Sequence, residues 1–143
     1  MVNFKASQGG IIPLRYQITT HAGDVDDAAA SKYASEVQHP AIILRDYERT
    51  SSLTSQSFIS LKKDSALNIS AKEALDGRGI ILRVHSAIRL PQQVVLDIAN
   101  FGYNKATLTS ALEEDSAKNL PIQNGEISFD LKPSEYLSIR LNR

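Results

Sequence analysis

GIILRVHSAIRLPQQVVLDIANFGYNKATLTSALEE, residues 79–114, is the stretch whose reading decides the fold. Ile80, Leu82 and Val84 share one parity, whereas Ile81, Arg83 and His85 share the other, so a strand here has one apolar face and one that turns polar. The even side is therefore expected to face the core. After a break at Leu90-Pro91, QQVVLDIA resumes the same β-branched composition. A third run, beginning at Tyr103, alternates Ala106, Leu108, Ser110 and Leu112 with Lys105, Thr107 and Thr109. Three strands followed by an acidic exit result.

Outward from this stretch, the C-terminal part alternates most clearly. Ile127, Phe129 and Leu131 alternate with Glu126, Ser128 and Asp130; a turn follows over residues 132–135; then Leu137, Ile139 and Leu141 alternate with Tyr136, Ser138 and Arg140. This reads as an antiparallel pair with one solvated face. Asn124-Gly125, between Ile122 and Ile127, is a strong hairpin signal. Asp76-Gly77-Arg78-Gly79 is a turn with two residues able to take positive φ. Towards the N-terminus, residues 58–61, 66–71 and 41–47 are further strand candidates, and residues 50–57 read as a loop. Leu14, Tyr16 and Ile18 alternate with Arg15, Gln17 and Thr19 as a half-buried strand ending near His21. Between them, Asp24 is expected to cap a helix over about residues 24–38, with Asp26 and Asp27 in its first turn and Pro40 ending it. Val25, Ala28, Ala29, Tyr33 and Val37 form its thin apolar stripe. Residues 1–13 read as an entry segment, and residues 14–143 as one domain.

Eight or nine short strands and one helix predict an all-β fold, a two-sheet antiparallel β-sandwich, with a closed barrel as the alternative. The 143 residues suffice for one core, burying roughly 68% of the unfolded chain's surface. No cysteine is present, which removes thiolate chemistry and disulfides and fits a reducing, cytoplasmic setting. Sixteen basic residues balance sixteen acidic ones without a basic run, so no electrostatic footprint for nucleic acid or an anionic membrane is expected. The longest apolar run, residues 41–44, is far too short to span a bilayer.

Four segments in order resemble the C-terminal part of the glycoside hydrolase family 38 α-mannosidases. Residues 15–42 are similar to that family's strand ending in His-x-Gly-Asp, with Tyr16, His21, Gly23 and Asp24 at the motif positions, and a helix after it. DGRGIILRVHS, residues 76–86, is similar to its Ile-Leu-Arg-x-Tyr-Asn strand, matching at Gly79, Ile81, Leu82 and Arg83. ATLTSALEE, residues 106–114, ends in Leu112-Glu113 where the family has Leu-Glu. LKPSEYLSIRL, residues 131–141, resembles its closing Leu-x-Pro-x-Glu pair through Pro133 and Glu135. The sequence departs from the pattern at Val25, His39, His85 and Ser86.

The resemblance implies a non-catalytic C-terminal sandwich of a longer enzyme that hydrolyses α-mannosidic bonds. The nucleophile, the acid/base carboxylate and a divalent metal, zinc in expectation, would belong to a catalytic domain outside the region matched, with no cofactor in this region itself. His21, Asp24, Arg83, Glu113 and Glu135 are then motif-matched residues with structural rather than catalytic roles. Partners would be the catalytic and middle domains of the parent chain and mannose-containing saccharides; independently of the resemblance, the runs at residues 41–44, 80–82 and 94–96, apolar on both parities, predict a second copy meeting this one through an exposed apolar face. The alternative is an autonomous carbohydrate-binding or protein-interaction sandwich, with tyrosines as its stacking platform.

The residues themselves weigh the same way. Glycoside hydrolysis needs two carboxyl groups about 5 to 9.5 Å apart. Glu113-Glu114-Asp115 is the best candidate, but a polar exit from a strand is the ordinary reading, and Glu113 pairing with Arg83 or capping a loop is favoured over chemistry. His21, His39 and His85 show no i, i+4 metal face. No serine stands in a Gly-x-Ser-x-Gly elbow.

Overall fold

The computed structural model describes residues 9–43, 55–62 and 65–143. Among them one α-helix, α1 (Asp27–Gln38), precedes nine strands, β1 (Ser60–Leu61), β2 (Leu67–Glu73), β3 (Ile80–Ser86), β4 (Gln92–Asp97), β5 (Lys105–Thr109), β6 (Asp115–Leu120), β7 (Ile122–Gln123), β8 (Glu126–Leu131) and β9 (Tyr136–Asn142), with one 3-10 turn (Ala99–Phe101) between β4 and β5. Two antiparallel sheets result, ordered β1-β4-β8-β7 and β2-β3-β9-β5-β6. Leu82 and Val84 of β3, Ile139 and Leu141 of β9, and Ala106 of β5 meet Val94 and Leu96 of β4 and Ile127, Phe129 and Leu131 of β8 in one apolar core. The even face of β3 points inward, as its alternation requires, and the β-sandwich expectation holds.

Asn124-Gly125 closes the β7–β8 hairpin, with Ile122 opposite Ile127 and Gln123 opposite Glu126. Both loop residues have positive φ, 52° and 78°, the geometry of a type I′ turn whose twist matches the flanking strands.

β8 and β9 are not the antiparallel pair that their adjacent alternation suggests. β8 pairs with β4 and β7, whereas β9 pairs with β3 and β5, so the turn at 132–135 carries the chain from one sheet to the other. Their apolar residues face each other across the core. Alternation records which face of a strand is buried but not which neighbour it bonds. The turn is built for the crossing: Pro133 presets the first central position, and Ser134 takes φ 55° at the second, as in a type II turn. The Glu135 carboxylate accepts from Lys132 N at 2.7 Å, and Glu135 N donates to Lys132 O at 3.2 Å.

Four other expectations are corrected. Residues 14–20 form no strand: Leu14, Tyr16 and Ile18 are exposed, and among the described residues no neighbouring strand satisfies an extended backbone there. The helix is capped by Asp26, not Asp24; its carboxylate accepts from Ala28 N at 2.9 Å and Ala29 N at 3.3 Å. The face of α1 turned to β2 is the small and polar one, with Ala28, Ser31 and Ser35 half-buried and Val25 and Val37 exposed. Finally, β6 is an additional strand within the acidic, polar exit. It is an edge strand and exposed except at Leu120, so it carries no apolar alternation. The candidate strand over residues 41–47 falls largely outside the described residues, and residues 41–43 are exposed without strand structure.

Gly79, at the entrance of β3, has φ 89°, and a Cβ there would collide with the carbonyl oxygen of Leu141 on the neighbouring strand. Gly79→Ala is expected to lower stability by about 1–3 kcal/mol, the cost of strain in a left-handed position. Denaturant titration checks this; an unchanged midpoint would show that the β3–β9 approach relaxes freely.

Candidate functional site

The outward face of the five-stranded sheet carries most of the polar chemistry. Register places Lys72, Ser70 and Asn68 of β2 beside Ile81, Arg83 and His85 of β3, and these beside Arg140, Ser138 and Tyr136 of β9. The two ends of this face differ.

At one end the turns over residues 74–79 and 110–114 fold across the sheet. Ile81 is fully buried beneath them, which explains why β3 is apolar on both parities at its start, and Arg140 is only 2% exposed. The solvated face expected for β9 is thus closed over at this position. The guanidinium of Arg140 donates to Asp115 Oδ1 at 2.6 Å, Asp76 Oδ1 at 2.8 Å, Arg78 O at 3.2 Å and Glu113 O at 2.7 Å. A buried cation is tolerated only when charge and hydrogen bonds replace its water, and this set does both. Burial works against the charge of Arg140, but Asp115 and Asp76 outweigh it and raise its pKa.

Glu113 completes the cluster. It sits at φ 67° in the turn closed by Glu113 N donating to Ser110 O at 3.0 Å and Ser110 N donating to Glu114 O at 2.9 Å. Its Oε2 accepts from Leu75 N at 2.8 Å, so one carboxylate joins the two covering turns. Its Oε1 lies 2.5 Å from Lys72 Nζ and 3.8 Å from Arg83 Nη2, which also donates to Ala111 O at 3.2 Å. The Leu75 N–H, then the Lys72 ammonium, hold Glu113 below the usual carboxylate range. The Arg78 backbone N–H, followed by the Arg78 guanidinium, pulls Asp76 far below it.

At the other end the sheet is open. A groove of about 830 Å³ runs between α1 and strands β2, β3 and β9, with Ser31, Ser35, Gln38 and His39 on the helix wall and Asn68, Arg83, His85 and Tyr136 on the sheet. His85 and Tyr136 lie opposite each other across β3 and β9, and their rings stack at 3.9 Å with 15° between planes. Ser86, the next residue, is buried and accepts from Gln92 Nε2 at 2.7 Å, a bond tying β3 to the start of β4.

Of the residues singled out in the sequence, Arg83 and Glu113 come together in the ion cluster, and Glu135 lies in the sheet-crossing turn. His21 and Asp24 are exposed ahead of α1 and neither line the groove nor join the cluster. Asp76, Asp115 and Arg140 were not legible as a group. Arg140 occupies an ordinary polar position in an alternating strand, and only the turns folded over it distinguish it. Among the described residues no three His, Asp or Glu side chains converge in a group that could hold a metal ion. Among the described residues, no helix is long and apolar enough to cross a membrane.

Compared with known families, residues 65–137, just over half of the chain, match the model of the glycosyl hydrolases family 38 C-terminal beta sandwich domain. The matched span runs from just before β2 to the start of β9 and takes in both covering turns and the sheet-crossing turn. No curated protein and no solved structure matches the chain.

Proposed function

Because the chain belongs to the glycosyl hydrolases family 38 C-terminal β-sandwich domains, we propose that it serves as the non-catalytic terminal sandwich of an α-mannosidase-like glycoside hydrolase. In this reading it docks on the catalytic and middle domains of the same polypeptide, which supply the nucleophile, the acid/base group and the divalent ion. A cytoplasmic setting is proposed with it, on the cysteine-free composition.

One observation carries the reading. Glycoside hydrolysis needs a carboxylic acid whose pKa is raised so that it can protonate the leaving group. Where carboxylates cluster among the described residues, the environment does the opposite. Asp76 and Glu113 are held below their ordinary range by backbone N–H groups and cations, and Asp115 is bonded to Arg140. Such a cluster fastens turns to a sheet; it offers no proton donor. Docking is supported by the exposed Ile11, Leu14, Tyr16, Ile18, Ile42 and Ile43 in the segment before the sandwich.

Incubation of the isolated chain with an aryl α-mannoside and added zinc tests the proposal. No turnover is expected. Turnover that disappears on Glu113→Gln or Asp115→Asn would overturn the non-catalytic reading.

A further inference from the structure

We propose that Asn124 is a self-modification site, whose side-chain amide is lost through attack by the backbone nitrogen of Gly125, and that the closed β7–β8 loop withholds the reaction until the hairpin opens. Asn124 is the only asparagine of the chain followed by glycine. A glycine nitrogen has no adjacent Cβ to hinder its approach, so it is the backbone nucleophile best suited to the step. Gly125 N bonds to Asn124 Cγ, the Cγ–Nδ2 bond breaks, and the Gly125 amide proton departs with that nitrogen as ammonia. Water then opens the resulting succinimide. Attack at Cγ gives aspartate; attack at the main-chain carbonyl carbon gives isoaspartate, whose backbone runs through the former side chain and is longer by a methylene.

Asn124 is exposed, so water has access, but the loop holds the reacting atoms apart. In a type I′ turn the first central residue has ψ of about 30°, which sets the next nitrogen near that residue's own nitrogen and away from its Cβ. With φ 52° at Asn124 and 78° at Gly125, the loop has this form. Ring closure requires the peptide between them to rotate towards Cβ, and the surroundings oppose it. Gln123 pairs with Glu126 across the base of the loop. Ile98 N donates to Gly125 O at 2.8 Å, and Gly125 lies so close to the 3-10 turn that a Cβ on it would stand 2.6 Å from the Ala99 Cβ. The restraint is nevertheless local. β7 is two residues long and lies at the edge of its sheet, so the hairpin can open without the core. Asp76-Gly77 could close the same ring with loss of water, but only from a protonated carboxyl group. Arg78 N, Arg78 Nε and Arg140 Nη1 donate to that carboxylate at 3.0, 2.9 and 2.8 Å and keep it ionised. The folded chain is thus spared at both turns, by loop geometry at one and by charge at the other.

The test is peptide mapping by mass spectrometry of the full chain, held at neutral pH across a series of urea concentrations. Conversion of amide to acid at residue 124 is expected to be at least about tenfold slower in the native chain than in the unfolded one, and to rise with the open fraction. The two products should differ in structure. Asn124→Asp retains a residue suited to a type I′ loop, so its amide spectrum should match that of the parent outside residues 123–126. The isoaspartyl chain, separated by chromatography and refolded, should lose the strand signature of β7 at Ile122, because a lengthened backbone no longer matches a two-residue turn. Conversion as fast in the native chain as in the unfolded one would overturn the gating by the loop. An unfolded chain that gains no acid at residue 124, and so behaves like Asn124→Gln, would overturn the site itself. An isoaspartyl chain with Ile122 still opposite Ile127 would overturn the link between modification and the hairpin.

Discussion

A chain ended at Ser134 should show no cooperative thermal transition. β9 lies between β3 and β5 at the centre of the five-stranded sheet, so its removal leaves two unconnected hairpins, β2–β3 and β5–β6, where one sheet stood. Ile139 and Leu141 are fully buried in the core and Leu137 packs against it. Each fully buried aliphatic side chain contributes about 1.5–3 kcal/mol, and a domain of this size holds about 5–15 kcal/mol in all. The loss also opens the backbone of β3 and β5 to water along their inner edges and leaves Asp76 and Asp115 facing a missing cation. Circular dichroism against temperature reads the result directly; a sharp melt near that of the intact chain would mean that β9 is dispensable, against its observed pairing.

Arg140→Met is the second change with a large expected effect, about 3–5 kcal/mol of lost stability, because it removes one member of a buried, hydrogen-bonded ion cluster and strands the others. Methionine keeps much of the volume of the arginine stem, so the loss reads the charge rather than a cavity. The pH dependence supplies a second readout. Asp76 and Glu113 have folded-state pKa values below their ordinary 3.8 and 4.5. Groups depressed in this way contribute stability that is present above the ordinary carboxylate range and lost as the pH falls through their folded values. Arg140→Met removes one of the causes that depress Asp76, so the acid side of its stability profile should be shallower than that of the parent. Denaturant midpoints measured between neutral pH and pH 3 check both statements. A variant as stable as the parent, with an unchanged acid limb, would show that the cluster contributes nothing net.

The sequence was most informative where local chemistry and burial agree. Asn124-Gly125 specifies its turn because both residues accept positive φ, and the alternation of Ile127, Phe129 and Leu131 records a core face that the structure places inward. The neighbouring alternation in β9 was equally visible, yet its partners were not: Leu137, Ile139 and Leu141 would look the same beside β8 or across from it. Nothing in LKPSEY states that the turn changes sheets. Polar edge strands leave still less trace, as residues 115–120 show, since β6 puts only Leu120 into the core and is otherwise exposed. The candidate sites divide similarly. Glu113 could be paired with Arg83 from the motif order, but the burial of Arg140 depends on two turns about 35 residues apart in sequence closing over one strand, a tertiary event that periodicity does not encode. The segment before α1 shows the converse, a strand-like pattern at Leu14, Tyr16 and Ile18 with no strand among the described residues to pair with.

The crossing from β8 to β9 also divides the folding of the molecule in time. β7 and β8 need only the two-residue loop at 124–125 to find each other, and hairpins of this kind close in about 1–10 μs. β9 has no such local partner, because the strands it bonds lie far back in the chain, with β3 separated from it by the whole of β4 to β8. Sandwiches dominated by such distant pairings fold in milliseconds to seconds. Until β9 pairs, β3 and β5 each lack their common neighbour and would present open edges to any neighbouring chain. The vulnerable moment for this domain is therefore the wait for β9, which makes the last strand the determinant of how much of a newly made chain escapes aggregation.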